Sequence, residues 1–251
     1  MRTSNALALN GEYVFEGTEV TLPVVVRKAR ATAATFVVSA NAARELLPNG
    51  DLEIMEVAPG RALFTLGAIE YIDNDLGDYN EVSMAFYVRQ RGAPRGIPYV
   101  GAWTDFLAGR ASTYIHRLPV DQSFTCAAGR GIWGFPKTVE KIDFDIDGDS
   151  ARCQLEMDGR HVLTLDTPRK GTRTLPDAAM TTYSYINGVL HKTAFRSGAD
   201  GVGFALGRAN VTLGDHPVAG ELRALGLPKA ALLTVWMERM RGRFEAPTAV
   251  V

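Results

Sequence analysis

The second half of the chain is punctuated by Asp147-Gly148-Asp149, Asp158-Gly159 and Asn187-Gly188, each set between runs of strand-forming residues. Turns of this chemistry accept the left-handed backbone that joins two twisted antiparallel strands, so each predicts a hairpin. The flanking strands are expected at 139–146, 151–157, 161–165, 182–186 and 189–195. The first half carries the same two-residue period. Val20, Leu22, Val24 and Val26 alternate with smaller or polar residues, and in 81–89 the residues Val82, Met84, Phe86 and Val88 face away from Glu81, Ser83, Ala85 and Tyr87. One of those faces is core, and the other is free to line a cavity. Further strands are expected at 34–39, 52–57, 62–72 and 204–213, with an acidic loop at 73–80 and an apolar stretch at 98–107. The segment 230–244 fits helix or strand. Helices are few and short: 42–47, capped by Ser39 or Asn41 and stopped by Pro48; one from Asp121 as N-cap to Gly129; and one opened by Pro217 and reaching Leu225. Many short strands with tight turns predict a single β-rich domain over 1–251, a barrel or sandwich with helices at its ends.

With 251 residues, 46% of them hydrophobic, the chain can bury a sizeable core. A net charge of −1 and the lack of a Lys/Arg block argue against nucleic acid or a membrane surface as partner. Small molecules are the expected ligands. The opening residues carry Arg2, but their apolar run breaks too early for a signal peptide, and no run approaches the ~18 apolar residues of a membrane span. Cys126 and Cys153 have no metal or redox spacing. A cytoplasmic protein with two small buried thiols is the expectation.

One lysine stands apart. Only six residues are lysine (Lys28, Lys137, Lys141, Lys170, Lys192, Lys229), and Lys137 ends the glycine-rich, aromatic run Gly129-Arg130-Gly131-Ile132-Trp133-Gly134-Phe135-Pro136-Lys137. Lysine, unlike arginine, becomes a nucleophilic amine once its proton is removed. At an ordinary pKa only about one lysine in 2,500 is neutral at pH 7, so the apolar surroundings of Trp133 and Phe135 are expected to lower it.

Other motifs carry less. Gly129-x-Gly131-x-x-Gly134 spells a dinucleotide fingerprint, but a helix precedes it and Phe135-Pro136 follows, the reverse of the context that fingerprint needs. Asp143-x-Asp145-x-Asp147-Gly148 begins like a calcium loop, yet Gln154 occupies the position of the bidentate glutamate, and the alternation with Phe144 and Ile146 is that of a strand. Asp73, Asp75 and Asp78 read as a solvated turn. His116, His161, His191 and His216 lack zinc spacing, and no Gly-x-Ser-x-Gly elbow is present. Neither metal nor cofactor is expected.

The run Gly-Arg-x-x-x-x-aromatic-Pro-Lys, together with Leu76-Gly77-x-Tyr79-x-Glu81, resembles the acetoacetate decarboxylase family, and the likeness extends loosely over most of the chain. It includes Leu213-Gly214-Asp215-His216-Pro217 and the closing Gly242-Arg243-Phe244-Glu245-Ala246-Pro247. The resemblance implies an α+β, predominantly β fold, a single-domain barrel flanked by short helices and assembled as a homo-oligomer. It places Lys137 at the family's Schiff-base lysine and Glu81 at its active-site glutamate, with Arg30, Trp133, Phe135 and Tyr79 as substrate-binding residues. Acetoacetate decarboxylase is itself a known case of a lysine activated by desolvation or a neighbouring cation. The implied activity is that of a Schiff-base lyase on a small keto acid, foremost a β-keto acid decarboxylase. The alternatives are an aldolase-dehydratase on an α-keto acid such as pyruvate, or a non-catalytic binding protein. Three positions depart from the family: Thr138 replaces a second lysine, Leu66 falls where a second glutamate is expected without a gap, and Ala29 holds the ungapped place of an arginine, with Arg27 and Arg30 on either side.

Overall fold

The structure, a computed structural model, describes residues 12–48, 50–94 and 96–250. It opens on a small hairpin, β1 (Glu12–Phe15) and β2 (Thr18–Thr21), turned through Glu16 and Gly17 with positive φ. β3 (Val24–Ser39) runs on as one 16-residue strand where two were expected. Ser39 then caps α1 (Ala40–Glu45), its Oγ accepting the Ala42 N–H at 3.3 Å. The short β4 (Leu52–Ile54) and β5 (Glu56–Ala58) precede the long hairpin of β6 (Arg61–Asn74) and β7 (Tyr79–Gln90), so the acidic loop shrinks to 75–78. The apolar stretch after it forms α2 (Val100–Leu107), followed by β8 (Ser112–Val120), α3 (Ser123–Trp133) and β9 (Lys137–Val139). β10 (Lys141–Asp147), β11 (Ser150–Met157) and β12 (Arg160–Pro168) turn where the sequence predicts. β13 (Arg173–Ile186) and β14 (Val189–Ala205) meet at Asn187-Gly188, both at positive φ as a tight hairpin of this kind requires. β15 (Asn210–Leu213), α4 (Pro217–Leu225), β16 (Leu233–Phe244) and β17 (Thr248–Ala249) complete the described chain. The ambiguous segment 230–244 is therefore strand.

Seven of these strands close into a barrel. They pair in the order β7-β6-β3-β16-β14-β13-β8, and β8 pairs again with β7. A separate sheet, β10-β11-β12-β15, packs on it. Cross-strand register sorts the side chains: Ala31, Ile69 and Glu81 share one face, while Ala34, Leu66 and Met84 share the other. Phe36, Phe64 and Phe86 belong with Leu66 and pack in one cluster with Leu155, Leu163 and Leu165 of the four-stranded sheet. That sheet has no room inside a seven-stranded barrel, so this face is the outer one. Burial of each of those phenylalanines stabilises the packing by about 1.5–3 kcal/mol. The interior face holds Ala29, Ala31, Tyr71 and Tyr79. Both faces of β7 are thus buried.

The barrel has a seam that positions Lys137. β8 has β13 as its parallel neighbour at Thr113 and Tyr114, but has β9 there at Leu118, Pro119 and Val120. Past Tyr114 the two long strands diverge, and α3 lies against both. Lys137, opposite Leu118, opens β9 in this gap.

Candidate active site

The glycine-rich run is helix beyond the expected end at Gly129. α3 continues through Gly129 and Gly131 to Trp133, and Gly134 ends it in the left-handed conformation, with φ 65°. Its N-cap is Gln122, without a side-chain cap bond, rather than Asp121, which instead accepts the Asn80 backbone N–H at 2.8 Å and its side-chain amide at 2.9 Å. Each glycine admits a close neighbour. A Cβ on Gly129 would stand 2.6 Å from Cδ of Lys137, one on Gly131 would overlap the Phe15 ring, and one on Gly134 would overlap the Tyr185 carbonyl. Packing accounts for all three without a nucleotide. Asp143, Asp145 and Asp147 likewise lie exposed along β10.

Four elements converge on the amine. Nζ of Lys137 lies 2.9 Å from Oε2 of Glu81 on β7 and donates to Oγ1 of Thr125 on α3 at 3.0 Å. It also stands 4.9 Å from the centre of the Tyr79 ring. Oε1 of Glu81 accepts the phenol of Tyr71, on β6, at 3.3 Å, and the Tyr71 and Tyr79 rings stack at 4.4 Å. All are buried: Lys137 is 4% exposed, Glu81 6% and Thr125 0%. Burial draws the ammonium down, but the charge of Glu81 and the Tyr79 phenol outweigh it, and Lys137 is held above the ordinary lysine range. This reverses the expectation from sequence, which counted the apolar neighbours and not the carboxylate. Burial, reinforced by Glu81, holds the Tyr71 phenol well above its usual range; Tyr79 is raised by burial, with Lys137 opposing.

The structure brings Tyr79, Glu81 and Lys137 together. Trp133 and Phe135, 2% and 5% exposed, stack on each other at 5.9 Å, and the indole N–H donates to the Glu245 carbonyl at 2.9 Å. They form the apolar wall at the end of α3. Arg30 is not brought to the site. It lies on the outer face of β3, paired with Glu70 at 3.0 Å and near Glu238 at 3.7 Å. The cause is a pair of register shifts between Val26 and Ala29. Val24 and Val26 face inward, and beyond the irregularity Ala29 and Ala31 do so instead. Arg27 is bound to Asp73 and Asp75 on the surface. Leu66 points to the outer face, away from Glu81. Thr138 is exposed, on the side of β9 opposite Lys137. Thr125 and Tyr71 are the contacts that sequence reasoning missed.

A seven-stranded barrel with a flanking sheet and four described helices is the architecture of acetoacetate decarboxylase-like proteins. The family profile of acetoacetate decarboxylase (ADC) matches residues 15–241, and the chain belongs to that family. Among solved structures, acetoacetate decarboxylase from Legionella pneumophila is similar at TM-score 0.64 and 16% identity, over 97% of this chain and 90% of that one. The enduracididine biosynthesis enzyme MppR complexed with pyruvate is similar at TM-score 0.59 and 16% identity, over 90% of each chain. An acetoacetate decarboxylase-like enzyme from Sphingomonas wittichii RW1 gives 0.60 and 16%, over 92% and 94%. At these identities the likeness is one of fold. No curated protein matches the sequence. Among the described residues, no helix is long and apolar enough to cross a membrane.

Proposed function

We propose that the chain is an imine-forming carbon–carbon lyase that acts on a small keto acid, with Lys137 as nucleophile and Glu81 as the group that takes and returns its proton. The observation that carries this reading is the buried 2.9 Å contact between them. A lysine held as ammonium attacks nothing, but a proton passed from Nζ to Oε2 leaves a neutral amine without any base from solvent. The nitrogen lone pair then adds to the substrate carbonyl, the carbonyl oxygen leaves as water after protonation, and a protonated imine remains. In a β-keto acid the electrons of the bond to the carboxylate flow into that imine and carbon dioxide departs. The resulting enamine takes a proton at carbon, and water releases the ketone and the free lysine. Tyr79, Trp133 and Phe135 supply the apolar wall of the proposed substrate site.

A second reading, aldol addition and dehydration on an α-keto acid, is favoured by the same placement of Glu81, because these steps need a proton carrier beside the imine. The pyruvate complex of MppR, which has this fold, supports testing it. Homo-oligomeric assembly and a cytoplasmic location belong to the same proposal. Borohydride reduction with acetoacetate and with pyruvate, followed by peptide mass spectrometry, tests it. A covalent adduct on the Lys137 peptide is expected, with carbon dioxide released from acetoacetate if decarboxylation is the reaction. A keto-acid panel that leaves Lys137 unmodified overturns the enzyme and favours a binding protein.

A further inference from the structure

We propose that Tyr71 is a positioning residue for the Lys137 amine: by donating its phenol to Oε1 of Glu81, it fixes the carboxylate so that Oε2 faces Nζ. This deepens the imine-forming reading and rests on it. The two carboxylate oxygens have separate partners, Tyr71 at 3.3 Å and Lys137 at 2.9 Å. The last torsion of a glutamate is soft, with a broad two-fold profile, so a carboxylate bound through one oxygen alone swings readily. A bond to the other oxygen stops that rotation. Tyr71 is itself immobile, 3% exposed and stacked on Tyr79. It arrives by register: Tyr71 pairs with Tyr79 across the hairpin of β6 and β7, which puts its hydroxyl over the residue two places further along β7.

The placement matters because Glu81 is the group that holds the Lys137 ammonium above the ordinary lysine range against burial. The titratable groups facing this carboxylate are Tyr71 on β6, Tyr79 on β7 and Lys137 on β9. From α3 Cys126, its thiol pushed up by burial, lies within the field of the Lys137 charge, while β3 presents Ala29 and Ala31 and β8 presents Val120. Loss of the Tyr71 hydroxyl frees the carboxylate to swing off Nζ, which weakens the hold of Glu81 on the ammonium and moves release of the Lys137 proton to lower pH.

The test is reductive methylation of Lys137 with formaldehyde and cyanoborohydride as a function of pH, read by peptide mass spectrometry, in wild type and Tyr71→Phe. The phenylalanine keeps the ring and its stack. The expected result, read below about pH 10 where the fold is intact, is methylation several-fold faster in Tyr71→Phe at each pH, with no such gain when the same change is made in Glu81→Gln. Equal rates, a loss of rate, or the same gain in the Glu81→Gln background overturn the proposal and leave Tyr71 a packing residue. Formaldehyde reports on the amine whatever the natural substrate is. A wild type that is methylated at Lys137 but yields no keto-acid adduct therefore sinks the lyase reading, while the Tyr71 assignment is judged on its own change in rate.

Discussion

Gly129 and Lys137 share one space: a Cβ on the glycine would come within 2.6 Å of Cδ and 2.7 Å of Cε of the lysine. α3 can therefore pass the lysine stem only if residue 129 has no side chain. Gly129→Ala is expected to drive the stem out of its channel, with an overpacking cost of about 1–3 kcal/mol. Borohydride trapping at Lys137 should fall at least tenfold while circular dichroism still reports the barrel. Trapping at the wild-type rate in a folded variant would show that the stem has another route.

Lys137→Met removes the nucleophile and with it every adduct at this position. It also leaves Glu81 buried without its ion partner, a change that typically costs about 3–5 kcal/mol. Thermal unfolding is expected to fall accordingly, and the double variant Lys137→Met/Glu81→Gln to recover most of the loss. Equal stabilities for the single and double variants would show that the pair carries no coupling.

Glu81→Gln keeps the shape of the side chain and removes its basicity. Turnover is expected to drop ~10²–10⁴-fold, the usual contribution of a positioned proton carrier. A variant that turns over normally returns Glu81 to a structural role.

Alkaline pH is expected to unfold the protein early. Lys137 is held above the ordinary lysine range when folded, so its contribution is complete below that range and is lost as pH rises through the folded value. Tyr71 and Tyr79 act in the same direction: both phenols are raised by burial, and the unfolded chain ionises them first. Chemical denaturation between pH 8 and about 11 should show stability falling steeply above ~10, and less steeply in Tyr71→Phe. A flat profile contradicts the assignment of these buried groups.

Thr138→Lys restores the family's second lysine in sequence but not in space, since residue 138 faces solvent across the strand from Lys137. The pH dependence of trapping should stay where it is. A displacement to lower pH would mean that the new ammonium reaches around the strand to the amine.

Much of this site is written in local pattern, and the remainder depends on register. Alternation along 81–89 separates Glu81 from Val82 and Met84, and the Pro136-Lys137 step marks the amine. Nothing local connects Tyr71 or Thr125 to Lys137, because their meeting depends on how β6 pairs with β7 and where α3 crosses the seam. Arg30 shows the same limit from the other side. Steady alternation from Val24 and Val26 places even-numbered residues inward, and the irregularity before Ala29 reverses the count. The helix expected to reach Gly129 runs on through Gly131 to Trp133 and gains close contacts at both glycines, although glycine is a poor helix former.

Among the described residues, the hairpin of β1 and β2 makes backbone ladder bonds only with itself and joins the rest through side chains, among them the buried Val20, Phe15 against Gly131, and Glu16 accepting from Ser123 Oγ at 3.4 Å. Its amides are therefore free to exchange with solvent deuterium by a local opening that leaves the barrel closed. Protection should be lowest in 12–21, intermediate in α3 and highest in β3, β6 and β7. The helix that carries Thr125 and Gly129 thus takes its outer cover from the least protected part of the molecule.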